Sequence, residues 1–173
     1  MVSVHFYAWV AIPPGSEIDA GVAAAMEPYR MNEDQQESDA EDDTEVWDFW
    51  TIGGRYTGAL DGFDPLQDPE NQETCPRCSG SGVGAAPGED CPRCRASGRV
   101  ATSPQRWRRH PGDVQPLHRV VHRDLPATLV TPAGIHQAFT VDGASWTDER
   151  GGMRAALDAL EPASLIVVVD YHR

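Results

Sequence analysis

The sequence predicts an α+β fold, namely a ferredoxin-like βαββαβ sandwich that is interrupted by a zinc-binding module. Three observations predict it. Two stretches with helical spacing each lie between segments of strand character, and the last of these is the apolar run Leu165–Val169. A block rich in cysteine, glycine and proline interrupts the middle of the chain. With 173 residues, 40% of them hydrophobic, the chain suffices for one domain with a buried core.

The first strand and the first helix are predicted from the start of the chain. Apolar residues alternate from Val2 to Ile12, which is typical of a strand. One face carries Val2, Val4, Phe6, Ala8 and Val10, and the other carries Ser3, His5, Tyr7 and Trp9. After Pro13-Pro14-Gly15, we expect Ser16 to cap a helix whose apolar stripe is Ile18, Val22, Ala25, Met26 and Tyr29.

The middle and the end of the chain supply the remaining elements. Residues 46–60 are aromatic and glycine-rich, which predicts a strand with a bend at Gly53-Gly54. Residues 117–131 predict another strand or a hairpin. Ser145 opens the second predicted helix, with a buried face of Trp146, Met153, Ala156, Leu157 and Leu160. The apolar run Leu165–Val169 is typical of a central buried strand.

These elements define the predicted domain organisation. Residues 1–63 and 117–173 form the ferredoxin-like domain, and residues 64–116 form the inserted zinc-binding module with its Pro-rich flanks. We expect both helices on one face of an antiparallel sheet, so that His5, Tyr7 and Trp9 point to the other face. Either the inserted module or a long loop covers these aromatic side chains, which we favour, or they form a platform on which bases stack.

The four cysteines of the chain form two C-x-x-C pairs. Cys75 and Cys78 are followed by Cys91 and Cys94, with twelve residues between the pairs. Four thiolates at this spacing predict one structural Zn²⁺ with no open coordination position. Disulfides are disfavoured because Met1-Val2-Ser3-Val4 does not begin a signal peptide. A redox dithiol is disfavoured because both pairs lie in loop sequence. The expected compartment is the cytoplasm of a bacterial or phage-infected cell.

The residues around the cysteines resemble the cysteine-rich zinc region of DnaJ-type chaperones, whose repeat is C-x-x-C-x-G-x-G. The segment Cys75–Gly82 matches this repeat in full, and Cys91–Gly98 departs from it at Ala96. The resemblance covers two repeats and implies a zinc knuckle. No His-Pro-Asp tripeptide of a J-domain occurs in the chain, so co-chaperone activity is not expected.

A second dense signal is the aromatic-Gly-Gly-Arg segment, residues 47–58. Its candidate ligand- or partner-binding residues are Trp47, Asp48, Arg55 and Tyr56. An arginine between aromatic residues can present its guanidinium to a carboxylate or a phosphate. Alternatively, the segment is a core strand with a glycine bend and an internal pair between Arg55 and Asp48.

This segment looks like a motif of uncharacterised small proteins of bacteriophages and actinobacteria, Trp-Asp-aromatic-aromatic-x-Ile-Gly-Gly-Arg. Thr131–His136 and Val168–His172 fit the same resemblance, with Tyr171 where those proteins carry cysteine. All fourteen basic residues are arginine, which indicates a GC-rich coding sequence of the kind found in such organisms. The resemblance implies no activity.

The formal charge of -13 is unevenly distributed along the chain. The segment from Asn32 to Thr74 contains fourteen acidic residues and one basic residue, Arg55. The segment from Cys91 to Arg123 contains eight arginines and one acidic residue, Asp113. The basic-aromatic cluster, Arg106, Trp107, Arg108 and Arg109, is a second candidate partner-binding site. It fits either nucleic-acid phosphate or the chain's own acidic loop, residues 32–45.

The predicted function is a non-enzymatic interaction or accessory protein, phage-associated, that recognises a protein partner through its zinc module and Arg-rich loop. One alternative is nucleic-acid binding through residues 93–109 and the aromatic sheet face. Another is an acidic mimic of nucleic acid that inhibits a host protein, and the last is a small enzyme built around Asp48, Arg55 and a histidine. No membrane association is expected, and the sequence indicates no oligomeric state.

Overall fold

The computed structural model describes residues 5–31, 47–102, 107–120, 123–142 and 145–172. The chain divides into two units. The first unit comprises Met1–Gly62 and Arg109–Arg173, and the second comprises Phe63–Arg108. The start of the second unit lies next to the predicted boundary, but its end differs from the predicted Pro116, because residues 114–116 pair with the last strand of the first unit.

The described residues form ten strands and three α-helices. The strands are β1 (His5–Ile12), β2 (Phe49–Ile52), β3 (Gln72–Thr74), β4 (Arg99–Ala101), β5 (Val114–Pro116), β6 (Thr128–Thr131), β7 (Gly134–Gln137), β8 (Phe139–Asp142), β9 (Ser145–Asp148) and β10 (Leu165–His172). The helices are α1 (Ile18–Met26), α2 (Leu117–Val120) and α3 (Arg150–Asp158). The mixed α+β class is thereby confirmed, and the polar run 32–45 lies outside the described residues.

The main sheet of the first unit has the strand order β2-β10-β1-β6-β7, with β5 also paired to β10. β1 pairs with β10 along its whole length, from His5 opposite His172 to Ile12 opposite Leu165. The pairing of β1 with β6 is parallel, so the expected all-antiparallel sheet was wrong. The predicted strand over residues 117–131 was also too long, since residues 117–120 form α2 and only β6 joins the sheet.

The sheet is covered on both faces, which corrects the expectation that both helices share one face. On one face, Val22 and Met26 of α1 pack against Ala8, Val10 and Ile12 of β1. On the other face, Met153 and Leu157 of α3 pack in a cluster with Trp9, Val168 and Leu117. Apolar residues on both sides of β1 and β10 require such a double cover, because an exposed face would leave them in water.

The stacking platform, the less favoured of the two alternatives for His5, Tyr7 and Trp9, does not form. Trp9 is fully buried, and its indole N–H donates to the Tyr7 hydroxyl over 2.5 Å. Tyr7 in turn stacks on Tyr56, with ring centroids 5.0 Å apart. Burial raises the pKa of Tyr7 to about 12, although the Trp9 hydrogen bond opposes the shift. These aromatic side chains are covered by the first unit's own elements, and neither the inserted module nor a base is needed for this.

The helix starts differ from the predicted ones by a few residues. Glu17, and not Ser16, caps α1, since its carboxylate accepts the N–H groups of Asp19 and Ala20. Ser145 begins strand β9 instead of a helix, and α3 starts only at Arg150. None of the described helices is long and apolar enough to cross a membrane.

The second unit is built on a short hairpin and on tight turns. β3 pairs with β4, and two 3₁₀ turns, Pro65–Gln67 and Pro69–Asn71, precede the hairpin. Asp64 and Asp68 cap these turns by accepting the N–H groups of Leu66 and Glu70. The apolar interior of this unit consists of the cysteines and Val100. So small a core stabilises little by itself, and a further source of stability is expected.

Candidate metal centre and histidine–carboxylate cluster

The four cysteines converge at one point of the second unit. Their sulfur atoms all lie within 4.8 Å of one another, and no other group of three or more metal-binding side chains is found among the described residues. Cys75 Sγ lies 3.9 Å from Cys91 Sγ, and Cys78 Sγ lies 3.7 Å from Cys94 Sγ. A tetrahedral ion with metal–sulfur bonds of about 2.3 Å separates its ligands by about 3.8 Å. The cluster therefore has the dimensions of a four-thiolate metal site.

The two knuckles are related by a local pseudo-twofold arrangement. The Cys75 N–H donates to the Gly98 carbonyl over 2.9 Å, and the Cys91 N–H donates to the Gly82 carbonyl over 2.8 Å. A Cβ at Gly82 would meet the Ala96 carbonyl, and a Cβ at Gly98 would meet the Gly80 carbonyl. The last glycine of each repeat is thus required for close packing of one knuckle on the other.

The surroundings of the thiols give Cys78 and Cys94 different pKa values. Burial opposes ionisation of the Cys78 thiol, but the Gly82 N–H, 3.3 Å from its sulfur, and neighbouring thiols lower its pKa to about 6. Burial raises the pKa of Cys94 to about 11, and the adjacent sulfurs add to the shift. Four thiols this close cannot all ionise without a compensating cation. A divalent metal ion bound by all four thiolates would supply that charge and would leave no coordination position for a substrate.

The basic-aromatic cluster is only partly described, since Arg106 lies outside the described residues. In the second unit, Trp107 is 40% exposed and Arg108 forms an ion pair with Glu70. In the first unit, Arg109 donates to the Asp19 carboxylate over 2.9 Å. Arg108 and Arg109 thus neutralise carboxylates of this chain, but Glu70 and Asp19 are not part of the acidic loop 32–45, which lies outside the described residues.

The aromatic residues of the aromatic-Gly-Gly-Arg segment are mainly structural. Trp47 is buried, and its indole N–H donates to the Met26 carbonyl over 2.8 Å. The Tyr56 hydroxyl donates to the His5 carbonyl over 3.0 Å. Burial raises the pKa of Tyr56, and the Asp170 charge adds to the shift.

The expected pair between Arg55 and Asp48 does not form. Asp48 Oδ1 lies 2.6 Å from His172 Nδ1, whereas the Arg55 backbone N–H donates to Asp170 Oδ2 over 2.9 Å. The Arg55 side chain is exposed, and no ion pair to it is found within the described part of the chain. The three groups of the enzyme hypothesis therefore do not form one site. Asp48 pairs with His172, but the Arg55 guanidinium forms no ion pair with either of them.

The Gly-Gly turn passes between two buried carboxylates. Asp113 is fully buried and accepts hydrogen bonds from the Thr57 hydroxyl, the Gly58 N–H and the His110 N–H. Asp170 is 3% exposed. A Cβ at Gly53 would collide with the Asp113 carboxylate, and one at Gly54 would lie 2.5 Å from Asp170. Both glycines also have positive φ, 74° and 55°. The turn therefore needs glycine twice.

Two histidine–carboxylate pairs lie at the same end of the main sheet. His5 Nδ1 lies 2.7 Å from Asp170 Oδ1, and the ring centroids of His5 and His172 are 5.3 Å apart. Phe49 stacks on His172 at 5.3 Å. Asp170 and His172 were not predicted to be site residues, and His5 was predicted only as a possible member of the stacking platform. The signal that could have found them is the alternation that places Asp170 and His172 on one face of the last strand.

A cavity of about 490 Å³ lies elsewhere in the first unit, between the ends of β1 and β6 and helix α3. Its lining is mostly apolar, and its polar members are Thr131, His136, Glu161 and Ser164. The sequence analysis did not predict this cavity, and none of the candidate site residues lines it.

Comparison with protein-family models, with curated proteins and with solved structures finds no match to this chain.

The first prediction concerns the Gly-Gly turn. Gly54→Ala should lower the free energy of unfolding by about 3 kcal/mol, because the new methyl group meets Asp170 at a positive φ. Gly62→Ala is the matched control, since Gly62 has φ 83° but open space around it, and it should cost only about 1 kcal/mol. Urea denaturation followed by circular dichroism measures both, and equal losses would contradict the account.

The second prediction concerns Ala96, which stands where the first copy of the cysteine motif has Gly80. Its φ is 69°, in the left-handed region. Ala96→Gly should stabilise the second unit by about 1 kcal/mol, because a glycine relieves the left-handed strain. Ala85→Gly, at an exposed alanine without positive φ, should instead destabilise it by about 0.5 kcal/mol. Pulse proteolysis in urea, scored on cuts within residues 63–108, measures the difference. A loss of stability in Ala96→Gly would contradict it.

Proposed function

We propose that this chain is a zinc-stabilised, non-enzymatic interaction protein, in which the metal holds the second unit in a shape that a partner recognises. The observation that carries this proposal is the cluster of four cysteine sulfur atoms, all within 4.8 Å of one another, in which only Cys78 is partly exposed. Such a site is coordinatively closed, so its ion stabilises a fold and does not activate water or substrate.

Zinc is the ion that the ligand set favours. Tetrahedral sites with four sulfur ligands hold zinc or iron, and the C-x-x-C pairs in short loops are typical of structural zinc. The small interior of the second unit supports the same choice, because a module with so few apolar residues depends on its metal for folding.

Exposed arginines on the knuckles indicate the chemistry of the partner. Arg77, Arg93 and Arg95 follow or lie between the metal-binding cysteines, and all three are exposed. Within the described residues, the ion pairs of arginine involve Arg108, Arg109 and Arg150 and none of these three. Their charges are therefore available to an acidic surface of a protein partner, which is the partner we propose.

The third prediction tests the metal. The purified protein should contain one zinc per chain, and Cys91→Ser should lose it, because three thiolates bind zinc far more weakly than four. Chelation should expose residues 63–108 to protease while strands β1 and β10 stay protected, because ligand binding and folding are coupled in such modules by on the order of 10 kcal/mol. Ser97→Ala serves as the control substitution outside the ligand set.

Two outcomes would contradict the metal proposal. One is a protein that contains iron instead of zinc. The other is a second unit whose protease protection is the same with and without chelator.

The fourth prediction tests the arginines. Poly-glutamate should bind the zinc-loaded protein in a salt-sensitive manner, and R93E/R95E should weaken this binding by about tenfold because it reverses the local field. R119E/R123E is the matched control, since it changes the net charge equally at exposed arginines of the first unit. Both variants should retain their zinc.

The same titration distinguishes an acidic protein partner from nucleic acid. Single-stranded RNA that binds more tightly than poly-glutamate, with a steep salt dependence, would replace the protein partner with a nucleic-acid partner. Equal effects of R93E/R95E and R119E/R123E would overturn the assignment of the knuckles as the recognition surface.

A further inference from the structure

His5 and His172 stand directly opposite each other on neighbouring antiparallel strands. Opposed residues of such a pair project to the same face of the sheet, with Cβ atoms about 5 Å apart. Their imidazole rings are accordingly close, with centroids 5.3 Å apart and planes inclined by 58°. Both side chains are partly accessible, at 18% and 24%. Water and small ions can therefore reach this end of the sheet.

Each ring is oriented by a carboxylate at the same nitrogen. His5 Nδ1 is 2.7 Å from Asp170 Oδ1, and His172 Nδ1 is 2.6 Å from Asp48 Oδ1. Since an ionised carboxylate only accepts hydrogen bonds, each Nδ1 carries the proton that is donated. The lone pair of each neutral ring then lies on Nε2. No hydrogen bond to either Nε2 is found among the residues that the structure describes.

A carboxylate on Nδ1 and a free Nε2 are the arrangement of histidines that bind transition metals. The carboxylate fixes the tautomer and the ring plane, and it increases the basicity of the ligand nitrogen. Two imidazoles on one tetrahedral ion, with metal–nitrogen bonds of about 2.0 Å, have centroids about 5 Å apart. The observed separation of 5.3 Å agrees with this value.

We propose that His5 and His172 form a second metal site, which binds a borderline divalent transition ion through their two Nε2 atoms, with water in the remaining positions. Asp170 and Asp48 are its positioning residues. The site is independent of the four cysteines, whose soft thiolate set differs from imidazole in metal preference. The ion would bridge the first and last strands of the main sheet.

The test uses the untagged, zinc-loaded protein and Ni²⁺ as the probe, since imidazole ligands suit nickel and a filled four-thiolate site does not exchange readily. Equilibrium dialysis should find one Ni²⁺ per chain beyond the zinc, and Ni²⁺ should raise the thermal midpoint because it binds only the folded sheet. H172Q should lose both effects. H118Q, at an exposed histidine of α2, should retain both.

A second variant keeps the proposal falsifiable if H172Q does not fold. Asp48 is 43% exposed, so D48N should fold normally while it weakens Ni²⁺ binding by about tenfold through the loss of ring orientation. The proposal is overturned if the wild-type protein binds no Ni²⁺ at millimolar concentration, if H172Q folds and binds Ni²⁺ as the wild type does, or if D48N leaves the affinity unchanged. In those cases the pairs only fasten the strands to each other.

Discussion

The eight-residue pairing of β1 with β10 is the constraint on which the first unit depends. It joins residues 5–12 to residues 165–172, and the strands β2, β5 and β6 each pair with one of these two. Both faces of the pair are apolar, and α1 covers one of them while α2 and α3 cover the other. Contacts this distant in sequence form slowly, so we expect folding of the first unit to be limited by this pairing.

Buried charge explains why the aromatic-Gly-Gly-Arg segment has its sequence. Asp113 and Asp170 approach the Gly53-Gly54 turn from two sides, and each needs backbone N–H groups to compensate for its burial. The donors are the N–H groups of Arg55, Gly58 and His110. At Gly53 and Gly54 the backbone passes so close to the carboxylates that a Cβ atom would collide with them. The glycines and the two aspartates therefore form one structural unit, in which Asp170 also positions His5 at the end of the sheet.

Predictions from the sequence were correct where the pattern lies within a few neighbouring residues. The four cysteines are fixed by short spacing, and the structure brings them together as the spacing predicted. The alternation along β1 correctly separated Phe6, Ala8 and Val10 from Tyr7 and Trp9. Alternation does not determine strand direction or strand neighbours, which is why the parallel pairing of β1 with β6 was missed.

The expectation that one face of the sheet lacks a helix was an error of a different kind, because the sequence itself contained evidence against it. Ile166 to Val169 are apolar without alternation, and all four are fully buried, as in strands covered on both sides. The same run had already indicated a central strand. The pairing of Asp48 with His172 was beyond prediction, because it joins residues far apart in the sequence through the register of β2 on β10.

The four-thiolate zinc site is the central claim, and X-ray absorption at the zinc edge tests it most directly. The claim predicts that protein loaded with one equivalent of zinc per chain shows four sulfur scatterers at about 2.3 Å and no nitrogen or oxygen in the first coordination shell. A shell that contains nitrogen or oxygen at about 2.0 Å, or fewer than four sulfur atoms, would contradict it.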